Sequence, residues 1–346
     1  MPSSIRKFAR RIEAARQERR LIGLTLAAVA GVAGPRQHRV PPVFSVRLDP
    51  AIAHGFDAVI QRDGTGFEIS LSRQCPAETA KHGPPRIRAY AYWMLASSDE
   101  VERMSITLSD GDRSSAATFS PSSFRSDVVA LPDPIFFSSG GYVAERTAGL
   151  TLAVPWRQRS TTLLWRGGMN SQQSFDPDIA VTRPELASQR LVACLALRGV
   201  PDTDVKFAIA GQSETGSVVY ERLGITGPRL PPATWLASRY ALDIDGYSNA
   251  WSNLFTRLLF GCCVLKIDSR YGFRQWYYDR LRPWEHYVPV AADLSNLVER
   301  LDWARSHDGE CREIAQRGRS LAVALTMSAA TREAAGLIEA NWRRQR

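Results

Sequence analysis

Cysteine and histidine are scarce in this chain, with five of each in 346 residues. The cysteines are Cys75, Cys194, Cys262, Cys263 and Cys311, an odd number with no CxxC spacing. That excludes a disulfide framework and a zinc ribbon or finger as the basis of the fold, and it suits a reducing compartment. The adjacent Cys262-Cys263 pair reads as small core filler. No group of His, Asp, Glu or Cys has metal-ligand spacing, and His286, in PWEHY, reads as a packed histidine, so no metal site is expected. The apolar run at residues 21–33, LIGLTLAAVAGVA, holds 13 residues, fewer than the ~20 of a membrane-spanning helix. Walker loops, GxSxG elbows, RNA-binding signatures, internal repeats and low-complexity tracts are also missing. These absences remove P-loop, α/β-hydrolase and solenoid readings.

What is present is an ordinary globular composition, 44% hydrophobic and 23% charged, with length enough for two domains. The net charge of +9 is unevenly placed, because +7 of it lies in residues 1–40. There Arg6, Lys7, Arg10, Arg11, Arg16, Arg19, Arg20, Arg36 and Arg39 face only Glu13 and Glu18. A nucleic-acid binder spreads a basic face over its folded domain, so no nucleic-acid partner is expected. Ile5, Phe8, Ala9 and Ile12 mark one face of an otherwise Arg-rich helix. Such a helix either makes peripheral membrane contact through residues 5–20 or is a solvated helix packed on its own domain. Basic residues followed by the apolar run also mimic a signal peptide, with Arg19-Arg20 as a twin-Arg pair. Residues 1–34 are therefore an anchor, a signal or a packed helix.

The richest stretch is residues 239–290. Residues 240–244 alternate as a strand, and Asp245-Gly246 breaks it. Ser248 or Asn249 then caps a helix whose buried face is Trp251, Leu254, Phe255, Leu258 and Leu259. Gly261 ends that helix, and residues 263–267 form a short buried strand. A strand, a glycine turn and a helix N-terminus offer unpaired N–H groups and partial positive charge to an anion. Strands are also expected at residues 43–48, 104–108, 128–131, 161–165 and 205–210, with a hairpin across Asp63-Gly64. Helices are expected at residues 87–95, 184–197, 294–306, 311–327 and 330–343, and residues 136–142 read as a flexible turn. Strands alternating with helices in the second half predict a parallel sheet covered on both faces.

Four segments carry a family resemblance: YALDIDGYSNAWSNLF, LLFGCCVLK, QWYYDRLRPWEHYVPV and DLSNLVERLDWA, in that order. They resemble glycosyltransferase family 90, the lipopolysaccharide-modifying and protein O-glucosyltransferase group, over roughly residue 104 to the last helices. The lipopolysaccharide core branch of bacteria is the nearer one. Animal members carry an Arg soon after the glycine turn, where this chain has Trp251-Ser252 and then Arg257 a turn later. The resemblance implies an α/β fold of GT-B type, two Rossmann-like domains facing a cleft. Its expected division is residues 1–40 as a basic helix and apolar segment, 41–155 as the acceptor-side domain and 156–346 as the nucleotide-sugar domain. It further implies an inverting transfer from a UDP-sugar, with no cofactor. With no metal-spaced cluster in the sequence, that transfer is expected to be metal-independent. The acceptor would be a hydroxyl of lipopolysaccharide core or another surface glycan, on the cytoplasmic side of the membrane. The alternatives are a non-catalytic glycan- or membrane-binding protein that keeps the fold, or a protein O-glucosyltransferase.

Such transfer needs a carboxylate to take the acceptor proton and fixed positive groups for the leaving diphosphate. The resemblance places the base on Asp110, at the end of MSITLSDGDR, with Asp112 as rival. Arg166 with Gly167 and Gly168, in WRGG, answers the family's aromatic-Arg-Gly motif, and a second phosphate-binding Arg falls on Arg190 or Arg183. Gly246, Tyr247, Ser248, Asn249, Ala250, Trp251 and Ser252 form the turn expected to face the diphosphate, with Trp251 equally fitted to the helix core. Gly140, Gly141 and Tyr142 are read as cleft lining, and Lys266 as either a diphosphate contact or a cap on the sheet.

Overall fold

A computed structural model describes residues 3–35, 42–64, 66–74, 76–111, 114–208 and 217–344. Asp112 and the end of the strand expected at 205–210 lie outside the described residues. The chain forms two units, the first from Met1–Ser138 with Met327–Arg346 and the second from Ser139–Thr326.

In the first unit, helix α1 (Ser3–Val29) leads to strands β1 (Phe44–Asp49), β2 (Asp57–Asp63) and β3 (Gly66–Ser72). The Asp63-Gly64 hairpin is as expected, with Gly64 at φ +57°, which suits a residue lacking Cβ. Helix α2 (Pro76–Ala96) starts eleven residues earlier than its apolar periodicity shows, and it holds Pro84 and Pro85 inside. Strands β4 (Arg103–Thr107), β5 (Phe119–Ser120) and β6 (Val129–Ala130) and helix α3 (Pro134–Ser138) follow. The sheet order is β1-β3-β2-β4-β5-β6, with β2 antiparallel to both its neighbours and the other pairs parallel. Leu21, Thr25 and Val29, at i, i+4 and i+8, are the buried stripe by which α1 lies on α2. No single helix among the described residues is long and apolar enough to cross a membrane.

The second unit runs through α4 (Val143–Thr151), β7 (Ser160–Gly167), α5 (Pro177–Thr182), α6 (Gln189–Ala196), β8 (Thr203–Ala208), α7 (Ser217–Arg222) and β9 (Thr226–Gly227). It continues with β10 (Ser238–Asp243), α8 (Asn253–Leu259), β11 (Cys263–Ile267), β12 (Val288–Val290), α9 (Leu297–Ser306) and α10 (Asp308–Ala324). The expected helix at residues 184–197 is broken, because Ala187 pairs with Ser174 in an isolated parallel bridge and forces extended backbone there. All strands are parallel, in the order β12-β11-β10-β7-β8-β9. Counted within the unit this is 3-2-1-4-5-6 from the β9 edge, a doubly wound sheet whose direction of winding reverses between β7 and β10. Its apolar strands, such as Cys263, Val264 and Leu265, are buried throughout, as a sheet covered on both faces requires.

The last helix, α11 (Met327–Asn341), returns to the first unit, where Ala330, Ala334 and Ile338 are buried. The division at 138/139 and 326/327 therefore differs from one at 155, and residues 1–35 join the first unit instead of standing apart. The α/β class and the two parallel-rich sheets expected of GT-B type are present.

Candidate functional site

In a doubly wound sheet the two loops on either side of the reversal part from each other, leaving a crevice at the carboxyl ends of the strands. Here those loops follow β7, at Gly168, and β10, at Ile244 to Gly246. Arg190 of α6 ties them together. Its Nε donates to Asp245 O at 2.9 Å, and one terminal nitrogen donates to Gly168 O at 2.8 Å and to Asn170 Oδ1. The guanidinium also lies 5.7 Å from the Trp165 ring centroid. Burial pushes its pKa down to about 10, with Asp245 and Asp243 opposing. Gly246 leaves room here, since a Cβ would meet the side-chain ends of Arg190 and Asn170 at 2.6 Å. Of the two arginines left open by the sequence, Arg190 is thus at the strand ends, whereas Arg183 is exposed at the end of α5.

Arg166 is committed to the protein. It donates to Asp204 Oδ2 at 2.7 Å, Asp204 O at 2.8 Å, Trp165 O at 2.9 Å and Pro228 O at 3.2 Å, bracing β7 against the β8–β9 edge. Gly167 gives room to the Trp165 ring, which a Cβ would strike at 2.3 Å, while Gly168 faces open space. That space is a cavity of 180 Å³ lined by Arg166, Gly167, Gly168, Arg229, Trp235 and Arg257, among others.

Arg257, on α8, is a buried cation in this cavity, whereas Arg229 is exposed and Arg166 is paired with Asp204. The Arg257 guanidinium stacks 3.6 Å from the Trp235 ring centroid and donates to Thr256 Oγ1 at 3.3 Å. Among the described residues no carboxylate forms an ion pair with it, although it is only 8% exposed. Burial lowers its pKa to about 10, partly offset by Cys262 and Asp243. A buried charge without a counter-ion is costly, and an anionic ligand would relieve that cost.

The turn after β10 departs from the expected helix start. Helix α8 begins at Asn253, and neither Ser248 nor Asn249 caps it. Asn249 instead donates to Asp245 Oδ1 and Phe273 O, both at 3.1 Å, and is buried. Ser248 is buried with no hydrogen-bond partner for its Oγ among the described residues. Tyr247 is exposed, and its carbonyl accepts from Gln172 at 2.9 Å. Ala250, Trp251 and Ser252 are half-buried before the helix. Lys266 is buried, with Nζ 4.9 Å from the Tyr278 ring centroid, and it counters Asp243 and Asp245. It does not line the cavity at Gly168. Burial raises Asp245 to about 6 and raises Asp243 as well.

Gly140, Gly141 and Tyr142 all have positive φ, but only Gly140 is exposed. Tyr142 is buried, with its ring 5.2 Å from that of Phe255. His286 is mostly buried, and its Nδ1 accepts from the Arg282 backbone at 3.0 Å, as a packed histidine does.

Asp110 lies in the first unit, in the turn that follows β4. Arg86 of α2 ion-pairs with its Oδ1 and donates to Leu108 O from its other terminal nitrogen, so one guanidinium fixes both the strand end and the carboxylate. The Asp110 side chain keeps 37% exposure, and Gly111 beside it takes φ +100°.

Sequence comparison joins this geometry to a family. The pattern of glycosyl transferase family 90 matches residues 151–332, which hold all six strands of the doubly wound sheet and the residues lining its cavity. The chain belongs to that family. It is 31% identical over 183 residues to uncharacterized protein 179R of Invertebrate iridescent virus 6, a match covering 47% of this chain and 15% of that protein. It is 39% identical over 85 residues to protein O-glucosyltransferase 2 of Danio rerio, covering 24% of this chain and 16% of that one. Thus the chain spans less than a fifth of the length of either relative. A solved sucrose-phosphate synthase of Thermosynechococcus elongatus is similar at TM-score 0.39 and 13% identity, over 93% of this chain and 92% of that one. Arg229 and Trp235 were missed by sequence reasoning. Their only signal was the proline-rich segment PRLPPATW, which holds the loop over the cavity.

Proposed function

We propose that this chain transfers a glucosyl group from UDP-glucose to a hydroxyl, with guanidinium groups in place of a metal ion at the diphosphate. Asp110 takes the proton from the acceptor hydroxyl as its oxygen attacks the anomeric carbon. The bond from that carbon to the diphosphate oxygen breaks, and UDP leaves carrying the negative charge. The observation that carries the reading is Arg257, a buried guanidinium stacked on Trp235 with no ion pair among the described residues, in a cavity beside Gly168. Arg190 holds the crevice open to the donor by joining its two loops, and Arg166 stiffens the wall.

For the acceptor, the naming of relatives as protein O-glucosyltransferases supports a protein hydroxyl. A second reading, a lipopolysaccharide or other surface-glycan acceptor at the inner face of a membrane, draws on the cationic N-terminal helix.

Calorimetric titration with UDP tests the donor site. Arg257→Met should weaken binding by about 10- to 100-fold through loss of a charge-assisted hydrogen bond. It should leave folding stability within about 1 kcal/mol, because Met still covers Trp235. Wild-type protein that fails to bind UDP, or a variant that binds it equally, would sink the reading. UDP-glucose turnover in chelator, with a folded cysteine-rich domain or lipopolysaccharide core as acceptor, then tests the chemistry. Asp110→Asn should keep UDP affinity and lose transfer. Binding with no turnover on any acceptor would make the chain a glycan-binding protein.

A further inference from the structure

We propose that the first four turns of α1 are a docking surface for an anionic lipid bilayer, which goes beyond the transfer reaction and does not depend on it. Helix α1 changes character along its length. From Leu21 onward it is anchored, with Leu21, Thr25 and Val29 buried and Arg88 donating to Ala28 O at 2.7 Å. Between Arg6 and Ala14 every residue is exposed. Phe8 is 66% exposed and Ile12 is 52% exposed, and an i, i+4 spacing places them on one side.

Around that apolar pair the charge is one-sided. Arg6, Lys7, Arg10, Arg11, Arg16 and Arg20 form no ion pair among the described residues. The acidic residues nearby are engaged: Glu13 accepts from Gln17 at 3.0 Å, and Glu18 pairs with Arg73 at 3.4 Å. Phe8 and Ile12, one turn apart, form an apolar strip that no described residue buries, set among unpaired basic side chains. A bilayer surface rich in anionic headgroups answers both features at once. Phe8 and Ile12 enter the acyl boundary, and the long basic side chains bend back to the phosphates. A nucleic-acid backbone would answer the charge but offers no apolar phase for Phe8 and Ile12.

Sedimentation of the full chain with vesicles tests this. Vesicles of phosphatidylcholine holding about a third phosphatidylglycerol should pellet the protein at least about tenfold better than pure phosphatidylcholine. Raising salt from about 0.1 to about 0.5 M should release it. Arg10→Gln with Arg11→Gln should weaken binding about fivefold per charge removed. Phe8→Ser with Ile12→Ser should also weaken it by about fivefold or more. Unchanged circular dichroism would show that the fold is intact, since all four side chains are exposed. Equal binding to neutral vesicles, or none to either, overturns the proposal. So does full binding by the Phe8→Ser, Ile12→Ser variant, which would mean adsorption by charge alone. Tighter retention on polyuridylate than on the anionic vesicles overturns it in favour of nucleic acid.

Discussion

Asp133 shows what burial does to a single carboxylate in this chain. Two backbone N–H groups at the start of α3 donate to its Oδ1, Ile135 at 2.9 Å and Phe136 at 3.0 Å, yet it is almost fully buried. Burial outweighs those two bonds and raises its pKa to about 6. Below the ordinary carboxylate pKa of 3.8 both folded and unfolded chains hold the proton. Between there and about 6 only the folded chain does, so stability falls as pH rises through that window and is level above it. The fall should be of order 3 kcal/mol. Asp133→Asn keeps the accepting oxygen and cannot ionise. Urea midpoints should therefore show the variant gaining on wild type between pH 4 and pH 7. An unchanged difference across that window would assign the proton elsewhere. In sequence, residues 136–142 read as a flexible turn, and the two backbone N–H groups that Asp133 accepts from at the start of α3 are seen only in the structure. The contact of Arg257 with Trp235 is not legible in sequence either, because the partners are far apart in the chain and nothing local marks them. Likewise Arg166 reads as a free cation at a strand end until the β7–β8 pairing brings Asp204 beside it.

Among the elements, β11 matches its sequence reading residue for residue, because a short apolar run after a helix-ending glycine admits few alternatives. Helix α8 starts two residues later than Trp251. Ser248 and Asn249 have the chemistry of caps, but Asn249 is drawn to Asp245 and Phe273. Local propensity there yields to a buried polar network that only tertiary structure assembles. The same region offers a test of how the two loops at the winding reversal are held. Gly246→Ala would drive a methyl into Arg190 and Asn170. We expect a loss of about 1–3 kcal/mol in stability, read from the urea midpoint. UDP affinity should fall with it, because the loops no longer meet. A variant as stable as wild type would mean that Arg190 shifts freely and does not fix the crevice.

At the level of the whole chain, α11 was legible as a helix but not as a part of the first unit. Half of its buried positions are small alanines, and helical periodicity gives a face without naming what the face meets. Ile338 is fully buried in the same apolar cluster as Leu21, Tyr90 and Met94. Ile338→Asp should cost more than about 3 kcal/mol. In calorimetry it should lower one thermal transition, while the transition that UDP protects keeps its position. A single transition moved as a whole would show that the units melt together. The placement of α11 also has a consequence for synthesis. The second unit is made from one unbroken stretch, Ser139–Thr326, and is complete when that stretch has left the ribosome. The first unit has its sheet early and helix α11 only after the second unit, with Glu339 accepting from the backbone of Ser98 at 2.6 Å. Until α11 has emerged, the apolar surface that it covers in the first unit stays open. The nascent chain therefore carries a completed second unit while the core of the first is still open, the state in which a chaperone would meet it.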